Sequence, residues 1–538
     1  MRRIKNLLFA LTLAALSATN ALSQEALLKV RINDFSGGMV SNSLADVIAP
    51  NQGASMVNVE LNRPGRLSKR KGQALFARDV GSTPFVGIGR FDPDRTTSYL
   101  VAASGTRVVR ALSSSADWTV ANPSNALTAG QNTEFVQAND LLFILNGFDS
   151  TAWYSGSHWS TAGAYPTSPP TARTGAWLRN YLFLAGATTE TDWVYFSNNL
   201  DPDTFSSGDI IKINTGDGQS IQKVVPFRLN ELIIYKERSV FVLDITGSTP
   251  LSDWTVQPVS TVVGTIAPRS VVSLGNDQWF LSSEPIAIRS LVRSEFDKIL
   301  LNLVSGPIQD VFDGTGILTI NKTHISKAAA TLFNNKYFLA VPTGTSTVNN
   351  TVFVYDFITN GWYRIDGWFP ADWVVFDNRL FYIDANDGRV IECFSGTAGD
   401  WPQGPGTIDS ASTPSVGIAF NYITKNIDFD YPENFKQLDS LEVEFDATGD
   451  YNAEVFVNLD SDGWQRVGTV NLAGNSLTLP VTLPATLGNG GLARKTFQLT
   501  QYGEFKKMQV MVQQWASSTN VTLQRITIFS RLKPWRRE

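Results

Sequence analysis

The chain has 538 residues, more than one hydrophobic core usually serves, so two or three domains are expected. Apolar residues make up 43% and charged residues 17%, which excludes a disordered chain. A net charge of −5 gives no support for a surface that grips nucleic acid throughout, and a single cysteine, Cys393, excludes an intrachain disulfide and a cysteine-built metal site.

The first 23 residues have the layout of a secretory leader. Arg2, Arg3 and Lys5 precede the apolar run Leu7 to Leu16, and Ala21-Leu22-Ser23 offers a small-x-small cleavage site. The run is too short to span a bilayer comfortably, and a fortuitous apolar leader is the other reading. No later stretch approaches the length of a membrane span, so no membrane span is expected.

Residues 24–84 read as an extended N-terminal arm. "DFSGGMVSNSLADVIAPNQ" strings together paired glycines, a proline and small polar residues with no helical or strand period. A basic stretch follows, "RPGRLSKRKG".

From residue 85 onward the chain reads as strands and turns; only "HISKAAATLF" near His324 is a short helix candidate. A loose repeat runs through it. "TSYLVAA", "NDLLFIL", "RNYLFLA", "NELIIYK", "NDQWFLS", "NNKYFLAV" and "DNRLFYID" each place polar residues before an apolar strand. Their first apolar residues are Tyr99, Leu141, Tyr181, Leu232, Trp279, Tyr337 and Leu380, at intervals of roughly 40 to 58 residues. A polar turn feeding a strand and a hairpin back at that period is the pattern of propeller blades. The expectation is a β-propeller of six to seven irregular blades over residues 85–395; unrelated sandwich hairpins are the alternative. Residues 396–415, rich in Gly, Pro, Ser and Thr, read as a linker. Residues 416–538 alternate apolar and polar at strand period and are expected to form a C-terminal β-sandwich. The fold class is therefore all-β.

No chemistry-bearing constellation stands out. His158 and His324 are far apart and form no metal motif, and "SGSHWS" lacks the context of a nucleophile elbow. "NLDSDGW" (458–464), "FDPDR" (91–95) and "LDPDTF" (200–205) read as turns. No cofactor or metal is expected, and the chain reads as a non-enzyme. Two basic clusters remain: Arg63, Arg66, Lys69, Arg70 and Lys71 in the arm, and Arg531, Lys533, Arg536 and Arg537 at the end. Positive charge at such reach suits phosphate-backbone contacts. A solvated arm, or one docking on an acidic neighbouring subunit, is the favoured reading of Arg63, Arg66, Lys69, Lys71, Arg536 and Arg537.

"DFSGGMVSNSLADVIAPNQGASMVNVELNRPGRLSKRKG" resembles the N-terminal segment of a group of tailed-bacteriophage virion proteins: the tail nozzle, tail tubular and packaged-DNA stabilisation (plug) proteins. The matching positions are Phe35, Gly37, Gly38, Pro50, Asn51, Gln52, Asn58, Gly65, Leu67, Arg70 and Gly72. "VYFSNNLDPDTF", "LNELIIYKERSVFVLD" and "VFVYDFITNGWYRID" also resemble blade sequences of that group. The resemblance implies a structural protein of the virion tail, arranged as a six-fold homo-oligomeric ring beside portal-adaptor or other tail proteins. That ring lines the DNA ejection channel, holds packaged DNA until release and touches viral DNA transiently and non-specifically. On that reading the arm is a connector that orders on a partner, and those eleven residues are its assembly contacts. The leader departs from this pattern, since virion proteins assemble in the host cytoplasm. An exported propeller that binds glycan or protein ligands at the periplasm or cell surface is the alternative, and a hydrolytic propeller is a third reading.

Overall fold

The computed structural model describes residues 27–533 apart from 64, 78–82, 113–116, 123–125, 161–162, 164, 248, 295–297, 396–398, 401–415, 450, 474–490 and 516–519. The leader 1–23, most of the linker, and Arg536 and Arg537 lie outside the described residues.

Seven four-stranded antiparallel units follow one another in the chain. Six are separate sheets; the remaining one, residues 329–366, is one end of a nine-stranded sheet. Blades 1 to 7 begin with strands Phe85–Phe91, Glu134–Ala138, Thr174–Leu178, Ile221–Phe227, Val272–Ser273, Ala329–Phe333 and Pro370–Phe376. Each of these inner strands neighbours the next, and the seventh returns to the first, so the blades close a ring. The fold is a β-propeller.

The seven sequence repeats fall on the second strand of the seven blades, from Tyr99–Ser104 to Arg379–Asp384. These strands are apolar along nearly their whole length because both faces are covered by neighbouring blades. In blades 2, 3, 6 and 7 the polar lead-in is a two-residue hairpin turn: Asn334-Asn335 and Asp377-Asn378 both hold positive φ, as the turn that matches strand twist requires. Separate apolar clusters fill the gaps between blades. Leu100 and Val109 of blade 1, for example, pack with Phe381 and Ile383 of blade 7.

The last blade takes its outer strand from the other end of the protein. Gln73–Ala77 pairs antiparallel with Val390–Cys393, so residues before blade 1 close the ring.

The C-terminal residues form two facing sheets. One carries Lys436–Asp446, Thr522–Leu532 and Leu492–Gln498; the other carries Phe420–Thr424, Met508–Gln514, Asn452–Leu459 and Trp464–Asn471. Ala453, Val455, Val457 and Leu459 turn inward on alternate positions towards Leu441, Val443 and Phe445.

The arm is where the structure departs most from expectation. It is not a free connector. Leu27–Ile32 pairs with the final strand Thr522–Leu532, and the hairpin Val59–Arg63/Arg66–Lys69 extends the same sheet. Gly53–Val57 lies between the outer strand of blade 6, Gly361–Asp366, and Phe420–Thr424, joining propeller and sandwich into one nine-stranded sheet. An apolar period was invisible here because short strands paired on both edges need only a few inward residues, such as Met56, Val59, Leu61 and Leu67.

Residues 322–327 form a 3-10 turn, but Ala329–Phe333 is the inner strand of blade 6, not helix. The one α-helix among the described residues is Gln309–Asp313. In "LDPDTF" the turn is confined to Asn199 and Leu200, and Asp201–Lys212 is a long strand. "NLDSDGW" is a hairpin between Asn452–Leu459 and Trp464–Asn471.

Candidate functional site

Of the eleven arm residues singled out in the sequence, Gly38, Asn58, Arg70 and Gly72 meet at the seam between blade 6, blade 7 and the sandwich, Phe35 packs on the sandwich strand Phe420–Thr424, and Gly65 and Leu67 belong to the sandwich hairpin. Phe35 is wholly buried, its ring edge-on to Tyr422 at 5.1 Å. Gly37 and Gly38 pair with Asn51 and Gly53 through main-chain bonds (Gly37 N to Asn51 O, 3.1 Å; Gly53 N to Gly38 O, 3.0 Å), which closes the loop between them. The Pro50-Asn51-Gln52 turn is held by Gln52 Oε1 accepting from Ala49 N at 2.9 Å. Gly38 has φ +70°, and a Cβ there would lie 2.6 Å from Gly361 Cα, so blade 6 approaches backbone to backbone. Gly65 turns the hairpin whose Leu67 enters the core.

Arg70 is the centre of the seam and is almost wholly buried. Its Nε donates to Asn58 Oδ1 (2.9 Å), Nη1 to Asp400 Oδ1 (2.8 Å) and Lys71 O (3.1 Å), and Nη2 to Asp400 Oδ2 (2.5 Å) and Asp366 O (3.2 Å). Every N–H of the guanidinium fork is used, and its face lies 5.0 Å from the Trp368 ring. A lysine could not do this, because its single ammonium lacks the planar fork. Asn58, at φ 55°, also accepts from Asp366 N and donates to Ala419 O. A Cβ on Gly72 would meet Gly399 O at 1.9 Å, next to Asp400. Arg70 was visible in the sequence, but Asp400 was not: it sits in the stretch read as linker, where Gly399–Asp400 pairs with Val416–Gly417.

The basic cluster is thereby dispersed. Lys69 is buried with its Nζ 3.3 Å from Gln514 Oε1, and burial lowers its pKa to about 8, so it is withdrawn as a phosphate contact. Arg66 faces Asp446 at 3.5 Å, and Lys71 is exposed. Arg63 pairs through its backbone with Arg66 across the hairpin.

The second site lies on the propeller axis. Lys223 of blade 4 reaches past blade 3 to Glu134 of blade 2, 2.6 Å away, and the carboxylate also accepts from Thr174 Oγ1 and Gly175 N. Arg269, at the start of blade 5, donates to Val86 O of blade 1 (2.7 Å) and Ala371 O of blade 7 (3.2 Å), with Asp372 at 3.6 Å. Burial raises the Asp372 pKa, opposed mainly by the Arg269 charge. These side chains tie non-adjacent blades across the lumen.

Above them opens a cavity of about 700 Å³ lined by residues of all seven blades. Glu134 and Arg269 are part of its wall, with Arg173, Lys327, Asn349 and Asp384 around it. Burial pushes the Asp384 carboxyl up to about 7. Sequence spacing gave no hint of this set, because its members meet only through ring closure. No group of three or more His, Cys, Asp or Glu side chains that could hold a metal ion occurs among the described residues.

No protein-family model and no curated relative matches the chain. Solved structures that align with it include YCF48 from Cyanidioschyzon merolae (14% identity, 61% of this chain, 98% of that one, TM-score 0.38). The Neurospora crassa Pan2 WD40 domain aligns at 9% identity over 61% of this chain and 95% of that one, TM-score 0.38. The computationally designed Ika8 protein aligns at 10% identity over 60% and 99%, TM-score 0.37. Similarity at that level says nothing of what this chain binds.

Proposed function

We propose that the chain is a non-catalytic structural subunit of a tailed-phage tail, in the manner of nozzle, tube or plug proteins, and that several copies enclose the DNA ejection channel. The observation that carries this reading is the seam around Arg70. Gly38, Asn58, Arg70 and Gly72, which carry part of the resemblance, help lock propeller to sandwich, so the shared motif encodes an architecture rather than a loose tail. Lys223–Glu134 and Arg269 tie non-adjacent blades of one propeller together, and on this reading the channel is formed between copies with each propeller as wall. A mildly acidic chain suits a conduit past which a polyanion slides. The deciding experiment is peptide mass spectrometry on density-purified phage particles from the source culture. The expected result is this chain at several copies per portal ring.

The leader pattern favours one rival, an exported ligand-binding propeller. Absence from particles, with a mature chain starting at Gln24 in a periplasmic fraction, overturns the tail reading in favour of that rival.

A further inference from the structure

The axial cavity carries unspent binding capacity of two kinds. Arg173 is exposed on its wall, and among the described residues neither a hydrogen bond nor an ion pair engages its guanidinium. Lys327, in blade 6 and so across the ring from Arg173 in blade 3, spends only one donor, on Thr347 O at 2.7 Å. The Glu134 carboxylate on the same wall is already occupied by Lys223 and two further donors. Two cations without an acidic partner among the described residues, Arg173 and Lys327, therefore line the cavity, in a chain whose net charge is negative.

The second kind is acceptor capacity. Asn349 gives both amide hydrogens to the backbone (Lys327 O and Pro370 O, each 2.7 Å), which leaves Oδ1 with no donor although the residue is 1% exposed. Asp384, also 1% exposed, accepts from Asn386 N at 2.8 Å through Oδ1, while Oδ2 has no partner. Buried acceptors without donors are rare and call for something that supplies hydrogens. Both oxygens are buried in the wall, so a ligand reaches them only when wall side chains rotate. At the rim, the Phe148 ring is 61% exposed, and Asn132 and Asn386 present exposed amides.

We propose that this cavity binds an acidic saccharide unit. Arg173 and Lys327 take the anionic group, hydroxyls donate to the Asn349 and Asp384 oxygens, and Phe148 covers an apolar sugar face. A bare anion satisfies the cations but brings no donors to the acceptors; a neutral sugar does the reverse. The cavity volume is within the range that holds one or two sugar rings. The site goes beyond the tail reading, and a chain found in virions or in a periplasm can carry it equally.

The test is titration calorimetry on the full chain with glucuronate, galacturonate, glucose 6-phosphate, glucose and inorganic phosphate. Binding of at least one acidic sugar, with glucose and phosphate each at least about tenfold weaker, is expected. Arg173→Gln should weaken that binding by about tenfold or more while leaving the unfolding midpoint unchanged, since the side chain has no partner to lose. Lys71→Gln, far from the axis, should bind as the parent does. Equal binding of phosphate, equal binding of glucose, absence of binding by all five probes, or binding unaffected by Arg173→Gln would each overturn the assignment.

Discussion

At the scale of single residues, the molecule concentrates polar energy at Arg70. A buried ion pair is weak evidence of net stabilisation, but removing one partner strands the other in a low-dielectric site. Arg70→Ala leaves Asp400, Asn58 Oδ1 and two carbonyls short of donors and should cost about 3–5 kcal/mol in urea unfolding. Arg70→Lys should recover less than half of that, because one ammonium cannot serve Asn58, Asp366, Lys71 and Asp400 together. Asp384 gives a second expectation. Its folded pKa of about 7 lies above its unfolded value of 3.8, so the folded state keeps a proton that the unfolded chain releases. Its contribution is most favourable below pH 4 and is lost as pH rises from about 4 to 7, by up to about 4 kcal/mol. Asp384→Asn should flatten the stability–pH profile over that window and raise stability at pH 8. A profile unchanged by the substitution would place the titrating group elsewhere.

At the scale of elements, the arm behaves as several strands distributed among other sheets. Gly72→Ala brings a Cβ to within 1.9 Å of Gly399 O, so the Arg70 seam must open. The loss should exceed about 2 kcal/mol in chemical denaturation, where an ordinary surface Gly→Ala change is near neutral. Deleting residues 24–72 removes one strand pairing with blade 6 and three strands of the sandwich. A connector that orders only on a partner would leave the propeller folded after that deletion and lose only assembly. The strand pairings point the other way: the truncated chain should show loss of near-UV circular dichroism and rapid proteolysis across the sandwich. A truncated chain with native spectra would restore the connector reading.

At the scale of the whole molecule, one apolar cluster runs from Trp279 and Tyr337 in the propeller through Phe35 and Met56 to Val443 and Val510 in the sandwich. Shared sheet and shared core leave no weak boundary at which two units would melt apart. Calorimetry should therefore show a single unfolding transition for residues 27–533, and two resolved transitions would show that the seam is not cooperative. Closure of blade 7 by Gln73–Ala77 adds a long-range constraint of the same kind, since the ring cannot form until both ends of the propeller meet.

Periodicity by itself determined the all-β class, the propeller and its repeat. "NNKYFLAV" and "DNRLFYID" announce a strand because turn chemistry and continuous apolar runs are local properties, settled within eight residues. Phe35, Gly38, Asn58, Arg70 and Gly72 were also legible as special, but not their role, because a residue's type reports the backbone it tolerates and not the partner it will meet. Only the tertiary structure decided that Asp400 faces Arg70 across 330 residues of chain, and that Arg173, Lys327, Asn349 and Asp384 share one cavity. Ring closure brings such residues together through contacts of large sequence separation, and local pattern carries no record of them.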